Sequence, residues 1–261
     1  MLKLTSRDIA ILRLCAACQV LTTSQVQRLY FDHIDASTVR RRLRKLSSED
    51  YLESIETRIR TDNLYTLGKE GRQHLRGLGW QVVEPAEVPK DLDHHLGVTD
   101  IRIAIERGLK HTPDLHLRYF FAYWELGQFG WSYAVIPDGI FSLQNNRVLH
   151  AAIEFDRNTE SIAVFAKKLL NYRTLVRIHP VSTVMLVAEH RTNIERLEDG
   201  LGEIFASIPI VTVALEDLNL HGLQARCTPR SYLSGTRTIA EQLEIDGTKQ
   251  SGGDAGVPVT L

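Results

Sequence analysis

The sequence has few cysteines and no long apolar run, and each shortage excludes a class of protein. Three cysteines in 261 residues are too few for a disulfide framework. No stretch approaches the roughly 20 apolar residues that a membrane-spanning helix needs. The first residues, MLKLTSRDIAIL, carry charges within their apolar stretch, which is not the pattern of a signal peptide. We therefore expect a protein of the reducing cytoplasm with no membrane partner.

The composition that remains is ordinary for a globular chain, with 43% hydrophobic and 24% charged residues. The net charge of −1 conceals an asymmetry. Residues 1–80 contain 14 Lys and Arg against 9 Asp and Glu, whereas residues 81–261 contain 17 against 23. A basic first part joined to an acidic second part indicates that the first part binds a polyanion.

The length and the pattern predict two domains, at residues 1–80 and 93–234. The linker is expected at residues 81–92, which carry two prolines and charges of both signs. Residues 235–261 lose the hydrophobic periodicity and end in a stretch rich in Gly and Ser, so they are expected to be a flexible tail.

The first domain is predicted to contain three helices, a hairpin and a short fourth helix. The helices are expected at Thr5–Val20, Thr23–Phe31 and Ser37–Ser47, the strands at Tyr51–Ile59 and Leu64–Leu67, and the fourth helix ends at Leu78. This order, with the segment YTLGKEG at the exit of the hairpin, resembles the winged helix-turn-helix domains of bacterial regulators and replication initiators. The resemblance covers about a third of the chain and implies binding to double-stranded DNA.

The third predicted helix has the pattern of a recognition helix. Val39, Leu43 and Leu46 form a buried stripe, and most of the other face is basic. One face would pack on the domain while guanidinium groups reach phosphates and base edges. The alternative is a basic face that is merely solvated. The candidate DNA-binding residues are Ser37, Thr38, Arg40, Arg41, Arg42, Arg44 and Lys45 of the helix, with Arg58 and Arg60 of the hairpin.

The second domain is predicted to be a mixed sheet flanked by helices, in the order α-β-β-β-α-β-α-β, so the chain as a whole is of the α/β (α+β) class. The elements are expected at Asp93–Leu109, His116–Leu126, Gly130–Leu143, Arg147–Phe155, Thr159–Val176, Thr183–Ala188, Arg191–Ala206 and Ile208–Leu215.

Three carboxylates are expected near one end of this sheet. In the simplest hairpin register Asp138 and Glu154 are cross-strand neighbours, and Asp156 shares the Glu154 face of its strand. Converging carboxylates are costly without a neutralising cation, and Mg²⁺ prefers such hard oxygen ligands. Asp138, Glu154 and Asp156 are therefore candidate ligands for Mg²⁺ and candidate catalytic residues for phosphodiester cleavage.

At these residues the chain resembles the restriction-endonuclease fold, whose signature is PD…(D/E)-x-K. Pro137 and Asp138 match the first half, and Glu154 matches the second. The sequence departs from the signature because Asp156 occupies the position of the lysine. The resemblance implies that Lys167 or Lys168 on the following helix replaces it, with Arg157 as an alternative, and Lys168 completes the candidate catalytic set. If none does, the site binds metal only or is an inactive relic of a nuclease.

Over roughly residues 5–215 the chain resembles the replication-relaxation family of plasmid and mobile-element proteins. Two motifs carry the resemblance: H-x-L-x-V-x-D-x-R, which runs from His94 to Arg102, and E-x-D-R-x-T-E, which runs from Glu154 to Glu160. Lys168 and Tyr172 also match a K-x-x-x-Y pattern. The resemblance implies a role in plasmid replication or in nicking and relaxation of DNA.

Several residues have two interpretations at this stage. His95 either packs the first helix of the second domain or takes part in chemistry, and Asp100 and Glu106 are further candidates for a metal shell. Tyr172 is either a core residue or a nucleophile that forms a phosphotyrosyl link. Cys15 and Cys18 have a C-x-x-C spacing, but no second Cys or His pair lies nearby in the sequence, so we expect them to be packed in the first helix.

Three functions remain open. The first is a DNA-binding protein of a mobile element that acts in replication, with a metal-dependent nicking activity. The second is a non-catalytic transcriptional regulator whose nuclease-like domain mediates homodimerisation or binds a partner. The third is an antitoxin-like repressor. Asp156 at the position of the lysine favours DNA binding over cutting, whereas the close set of Asp138, Glu154, Asp156 and Lys168 favours a site.

Overall fold

The computed structural model describes residues 2–55, 62–82, 88–127, 130–132, 134–145, 147–178, 181–205, 207–229 and 237–241. The chain divides into two compact units, Met1–Ile103 and Ala104–Leu261. The division falls inside helix α5 (Leu92–Leu109) and not in the segment 81–92 that the composition suggested. In the described part of the chain, no helix combines the length and the apolar character that crossing a bilayer requires.

Within its described residues, the first unit contains four helices, the first half of a fifth helix (α5) and a small sheet. In chain order these elements are α1 (Ser6–Cys18), β1 (Leu21–Thr22), α2 (Thr23–Tyr30), α3 (Ala36–Ser48), β2 (Leu52–Ile55), β3 (Leu64–Leu67) and α4 (Lys69–Gly77). The sheet is antiparallel with the order β1-β3-β2, and β2 and β3 form the predicted hairpin. Strand β1 was not predicted, because two residues are too short for a periodic pattern.

Side-chain caps explain where the first three helices begin. Thr5 and Asp8 form a capping box on α1, in which Thr5 is the cap. Thr22 caps α2 through a second capping box with Gln25, and Asp35 caps α3 by accepting the Ser37 N–H.

The main apolar core of the first unit stabilises its packing. The three residues of the predicted stripe on α3, Val39, Leu43 and Leu46, are completely buried in it. Cys15 and Cys18 are also buried there as free thiols, as predicted. Burial raises the pKa of the Cys15 thiol far above its ordinary value, so this residue is a packing residue.

The second unit is a mixed seven-stranded sheet with helices. Its elements are β4 (His116–Ala122), α6 (Tyr123–Leu126), β5 (Gly139–Gln144), β6 (Val148–Asp156), α7 (Ile162–Ile178), β7 (Thr183–Ala188), α8 (Arg191–Phe205), β8 (Ile210–Ala214), α9 (Leu215–His221), β9 (Arg226–Pro229) and β10 (Arg237–Thr238), with the second half of α5. The strand order is β10-β9-β8-β7-β6-β5-β4. Strands β4, β5 and β6 are antiparallel neighbours, whereas β6, β7 and β8 are parallel.

The second unit differs from the prediction in three places. The strand expected at Gly130–Leu143 begins only at Gly139, and the end of the strand expected at His116–Leu126 is helix α6. Helix α9 and strand β9 follow the last predicted strand. Strand β10 lies within the expected tail and pairs with β9, while Ile239 beside it is completely buried. The ordered chain therefore extends beyond residue 235.

Candidate functional site

Helix α3 separates its residues into a packed face and a basic face. Its three buried aliphatic residues face the core, and its other side is polar. The exposed residues of that side include Ser37, Arg40, Arg41, Arg44 and Lys45, while Thr38 is half-buried. The predicted surface therefore exists as a continuous basic face that begins at the N-terminal turn of the helix.

Arg42 differs from the other candidate DNA-binding residues. Its Nε donates to Asp8 Oδ1 at 2.7 Å, and its Nη2 forms a second bond to the other oxygen of the same carboxylate. Burial would raise the pKa of Asp8, but the hydrogen bonds from Arg42 and Thr5 outweigh it and hold that pKa below its ordinary value. Arg42 thus joins α3 to α1 and is half-buried, which separates it from the exposed residues of the predicted DNA-binding set.

The two candidate residues of the hairpin, Arg58 and Arg60, lie outside the described residues. The strands on either side of them pair in register from Leu52 with Leu67 to Ile55 with Leu64. Strand β3 is also anchored on its other edge by β1. A paired hairpin therefore follows α3.

In the second unit, Asp138 and Glu154 are cross-strand neighbours, as the hairpin register predicted. Gly139 lies opposite Ile153, and this register places Asp138 beside Glu154. The backbone fixes Asp138 twice: its N–H donates to the Ile153 carbonyl at 2.9 Å, and its Oδ2 accepts the Phe155 N–H at 2.7 Å. Glu154 is 1% exposed and Asp138 is 7% exposed, so both carboxylates are removed from bulk water.

Two residues of α7 each bind one oxygen of the Glu154 carboxylate. Lys168 Nζ forms an ion pair with Oε1, and the Tyr172 hydroxyl donates to Oε2 at 2.6 Å. Lys168 and Tyr172 are four residues apart and therefore share one side of the helix. Of the candidates for the relocated lysine, Lys168 is the one that contacts the carboxylate, whereas Lys167 is exposed to solvent. We call Asp138, Glu154, Lys168 and Tyr172 the carboxylate cluster.

Burial dominates the electrostatics of the carboxylate cluster. Burial and the adjacent Asp138 raise the pKa of Glu154 above its ordinary value, while Lys168 and Tyr172 act against this rise. Burial would lower the pKa of Lys168, but Glu154 and Asp138 raise it, so the ammonium stays charged. Burial raises the pKa of Tyr172 well above its ordinary value. A fully buried phenol that stays protonated is a donor to Glu154, which fits the core interpretation of Tyr172 and not the nucleophile.

Asp156 does not join this cluster. Its Oδ2 accepts from Arg196 of α8 at 2.6 Å, and its Oδ1 accepts the Asn158 N–H at 3.1 Å. Across the described residues, no three His, Cys, Asp or Glu side chains gather closely enough to hold a metal ion. The three-carboxylate metal site expected from the sequence is therefore reduced to the pair of Asp138 and Glu154. The oxygens of these two carboxylates are ligands of the type that Mg²⁺ prefers, and both oxygens of Glu154 also contact Lys168 or Tyr172.

The H-x-L-x-V-x-D-x-R motif at the start of α5 contacts helices α1 and α2 of the first unit. His95 Nε2 donates to the Cys18 carbonyl at 2.7 Å, at the end of α1. Asp100 accepts from Gln25 Nε2 at 2.7 Å and forms an ion pair with Arg28, and both partners lie on α2. Burial lowers the pKa of His95 to about 4, so its ring is neutral at pH 7. His95 is thus a packing residue, and Asp100 braces α2 and does not complete a metal shell.

A comparison with models of protein families matches residues 12–184 to the replication-relaxation model. The match spans more than half of the chain. The chain belongs to the replication-relaxation family. Neither the curated proteins nor the solved structures contain a significant match. Membership confirms the resemblance seen in the sequence and points to a role in the replication of a plasmid or mobile element.

The two family motifs have different structural tasks in this chain. Two residues of the first motif, His95 and Asp100, bind α1 and α2 of the first unit. Glu154 of the second motif is the centre of the carboxylate cluster, while its neighbour Asp156 is held by Arg196. Sequence reasoning missed Gln25, Arg28 and Arg196. Each lies far along the chain from its partner, so no local spacing could have revealed the contact.

Proposed function

We propose that the chain is a winged-helix protein that binds double-stranded DNA and acts in the replication of a plasmid or mobile element. The observation that carries the proposal is the division of α3 into a buried aliphatic face and an exposed face with Arg40, Arg41, Arg44 and Lys45. Family membership supplies the replication context.

The order of elements supports this proposal. A short strand lies between the first two helices, α3 follows α2, and a paired hairpin follows α3, which is the order of a winged helix. In such domains the third helix enters the major groove, where arginines bind guanine edges and phosphates. Because Arg42 is held by Asp8, it would orient α3 and leave the contacts to DNA to the exposed residues.

The proposal is tested by replacing Arg41 and Arg44 with Ala. Binding to a duplex is measured by fluorescence anisotropy over a series of salt concentrations. We expect weaker binding and a salt dependence that is less steep by up to about 1.8, because each lost phosphate contact removes about 0.9 from the slope. The matched control replaces Lys69 and Arg76 of α4 with Ala, which removes the same charge from exposed positions of the same unit. An unchanged affinity and slope in the α3 variant would contradict the proposal.

A second candidate function is metal-dependent nicking of DNA, and the assembly of Asp138, Glu154 and Lys168 favours it. The second unit would then be a restriction-endonuclease-like domain whose lysine lies on α7. Asp138 and Glu154 are the residues that would hold Mg²⁺, which would supply an activated water and stabilise negative charge at the phosphate. Lys168 holds a proton and a positive charge beside Glu154, and the buried Tyr172 orients that carboxylate.

Supercoiled DNA incubated with Mg²⁺ or Mn²⁺ distinguishes this activity from the non-catalytic alternatives. We expect nicked circles with the natural chain and none with Glu154→Ala, while Glu160→Gln, at an exposed position of the same motif, keeps the activity. Tight, sequence-specific binding without cleavage at any metal concentration would instead support a regulator or an antitoxin-like repressor. A homodimer on a palindromic site remains part of that alternative, and sedimentation of the protein with its DNA would measure it.

A further inference from the structure

Helix α7 has a solvent-facing side that the carboxylate cluster does not use. Its 17 residues include Lys167, Lys168, Arg173 and Arg177 but no Asp or Glu. Phe165, Leu169, Tyr172 and Leu175 are buried and form the packed side of the helix. Lys168 is turned to Glu154, whereas the other three cations are exposed. We call Lys167, Arg173 and Arg177 the α7 cations.

Within the described part of the chain, the α7 cations have no ion-pair partner. This contrasts with the arginines of the neighbouring helix: Arg191 is paired with Asp217 and Arg196 with Asp156. The positive charge on this side of α7 is thus available to a partner from outside.

The surroundings make this surface unusual for its part of the chain. Residues 81–261 have 17 Lys and Arg against 23 Asp and Glu, so the second part of the chain is acidic overall. Helix α8 contributes Glu195, Glu198 and Asp199, and it contacts α7 where a methyl group at Gly200 would come within 2.8 Å of Ile162. Helix α7, with four cationic residues and no acidic residue, is therefore positively charged and lies next to a helix of net negative charge.

We propose that the exposed side of α7 is a second DNA-binding surface, which contacts the phosphate backbone through Lys167, Arg173 and Arg177. The proposal rests on the proposed function, because it assumes that the chain binds DNA. The three residues span about 15 Å along the helix axis, a length over which one DNA strand presents about four phosphates. Arginine binds phosphate with a bidentate fork, and lysine binds it as a point charge.

The α7 surface would bind DNA in a different way from the basic face of α3. Contacts to phosphates carry no sequence information, so the α7 cations would add affinity equally for every sequence. They would also steepen the salt dependence, because each neutralised phosphate releases counterions. The carboxylate cluster lies on the other side of the helix, so the surface would hold DNA without delivering it to Glu154.

The test replaces all three α7 cations with Gln (K167Q/R173Q/R177Q) in the full chain and measures binding to a duplex of random sequence over a salt series. We expect the slope of log affinity against log salt to fall by about 2.7, at about 0.9 for each lost contact. The matched control is K110Q/R118Q/R226Q, which removes one Lys and two Arg from exposed positions of the same unit. We expect its slope to change by less than about 1, because general attraction without contact releases few counterions.

Each other outcome overturns the proposal in a recognisable way. If the natural chain binds DNA and the α7 variant keeps the slope of the control, the α7 surface is not a DNA contact, and the function proposed for α3 stands. If the natural chain does not bind DNA at all, the proposed function fails first and this inference with it. If sedimentation shows that the α7 variant changes only its self-association, the surface is an interface between copies of the chain. Circular dichroism melting confirms that the exposed substitutions leave the fold intact.

Discussion

Lys167 and Lys168 are consecutive residues with opposite environments. Lys167 is exposed on α7, whereas Lys168 forms an ion pair with Glu154, whose carboxylate is 1% exposed. The difference follows from the helical phase, because Phe165, Leu169 and Tyr172 define the buried side and Lys168 lies next to it. The apolar stripe of α7 is visible in the sequence, and its helical phase favours Lys168 over Lys167 as the lysine that contacts Glu154.

Lys168→Met should destabilise the chain by roughly 3 kcal/mol at neutral pH, because it leaves a buried carboxylate without its cation. The loss should depend on pH. Without the ammonium, burial and Asp138 raise the pKa of Glu154 further above its ordinary value of 4.5, so the folded state retains a proton that the unfolded state releases. The contribution of Glu154 to stability is then fully present below about pH 4.5 and falls by up to about 1.4 kcal/mol per pH unit above it.

Urea unfolding of the variant at pH 5 and at pH 8 measures this dependence. Lys167→Met is the matched control, because it removes the same group one residue away and should change stability by less than about 0.5 kcal/mol. A Lys168 variant that loses as much stability at pH 5 as at pH 8 would show that the ion pair does not set the protonation of Glu154.

Arg42 shows the limit of sequence reasoning at single residues. It lies in a run of three arginines, and composition gave no reason to separate it from Arg40 and Arg41. Its partner Asp8 belongs to a helix 34 residues earlier and is also the third residue of a capping box. Only the packing of α3 on α1 brings the two together, so the bond was invisible in a pattern of local spacing.

Among the elements, α5 comes unusually close to the segment after α9. A methyl group added to Gly108 would lie 2.6 Å from the backbone nitrogen of Leu223, and one added to Gly222 would lie 2.7 Å from the Gly108 Cα. Gly222 also has a φ of +56°, a conformation that favours glycine. The two glycines therefore permit a contact between two backbones that no side chain could occupy.

Gly108→Ala should lower the free energy of unfolding by about 2 kcal/mol, because the atoms that it meets are backbone and cannot turn away. Gly202→Ala on α8 is the control, and it should raise the free energy of unfolding. A methyl group there meets nothing within 4 Å, and alanine in a helix interior is favoured over glycine by roughly 0.5–1 kcal/mol. Thermal melts of the two variants should shift in opposite directions, and equal shifts would argue against the close approach.

Most elements were predictable because their apolar residues recur at regular spacing, as in α3 and α7, or form a continuous apolar run, as in β7. The failures have physical causes. The residues Gly130–Pro137 contain aromatic and aliphatic residues that resemble a strand, but β5 begins only at Gly139, after Pro137. Helix α6 is four residues long, and Tyr-Trp-Glu-Leu continues the apolar pattern of β4 without a break. Short elements carry too few residues for a period to be measured.

For the whole molecule, most of the succession of elements along the chain and the pair of Asp138 and Glu154 were predicted from the sequence, whereas a division inside α5 was not. The segment 81–92 has the composition of a linker, but composition does not report contacts. Leu96 packs with Val20 and Leu64, and Asp100 binds α2, so the first half of α5 belongs to the first unit. A boundary inside a continuous helix has no signature in charge or in proline content.

This division makes a prediction about Asp100→Ala. Removing the carboxylate takes away one acceptor of the Gln25 amide and the ion pair with Arg28, both on α2, and should destabilise the first unit by about 1–3 kcal/mol. Hydrogen–deuterium exchange read by mass spectrometry should show faster exchange in α2 and an unchanged rate in β7, which lies in the second unit. Glu106→Ala, further along the same helix but in the second unit, is the control. Faster exchange in β7 with unchanged α2 would contradict the assignment of Asp100 to the first unit.

The buried thiols have a practical consequence for all of these experiments. Cys15, Cys18 and Cys227 are the three cysteines of the chain, and each is buried. A maleimide reagent reacts with an accessible thiolate, and burial withholds both access and ionisation. A single cysteine introduced on the exposed side of α3 or α7 would thus accept a fluorophore selectively in the otherwise natural chain. Each of the two basic surfaces could then report its own encounter with DNA in real time.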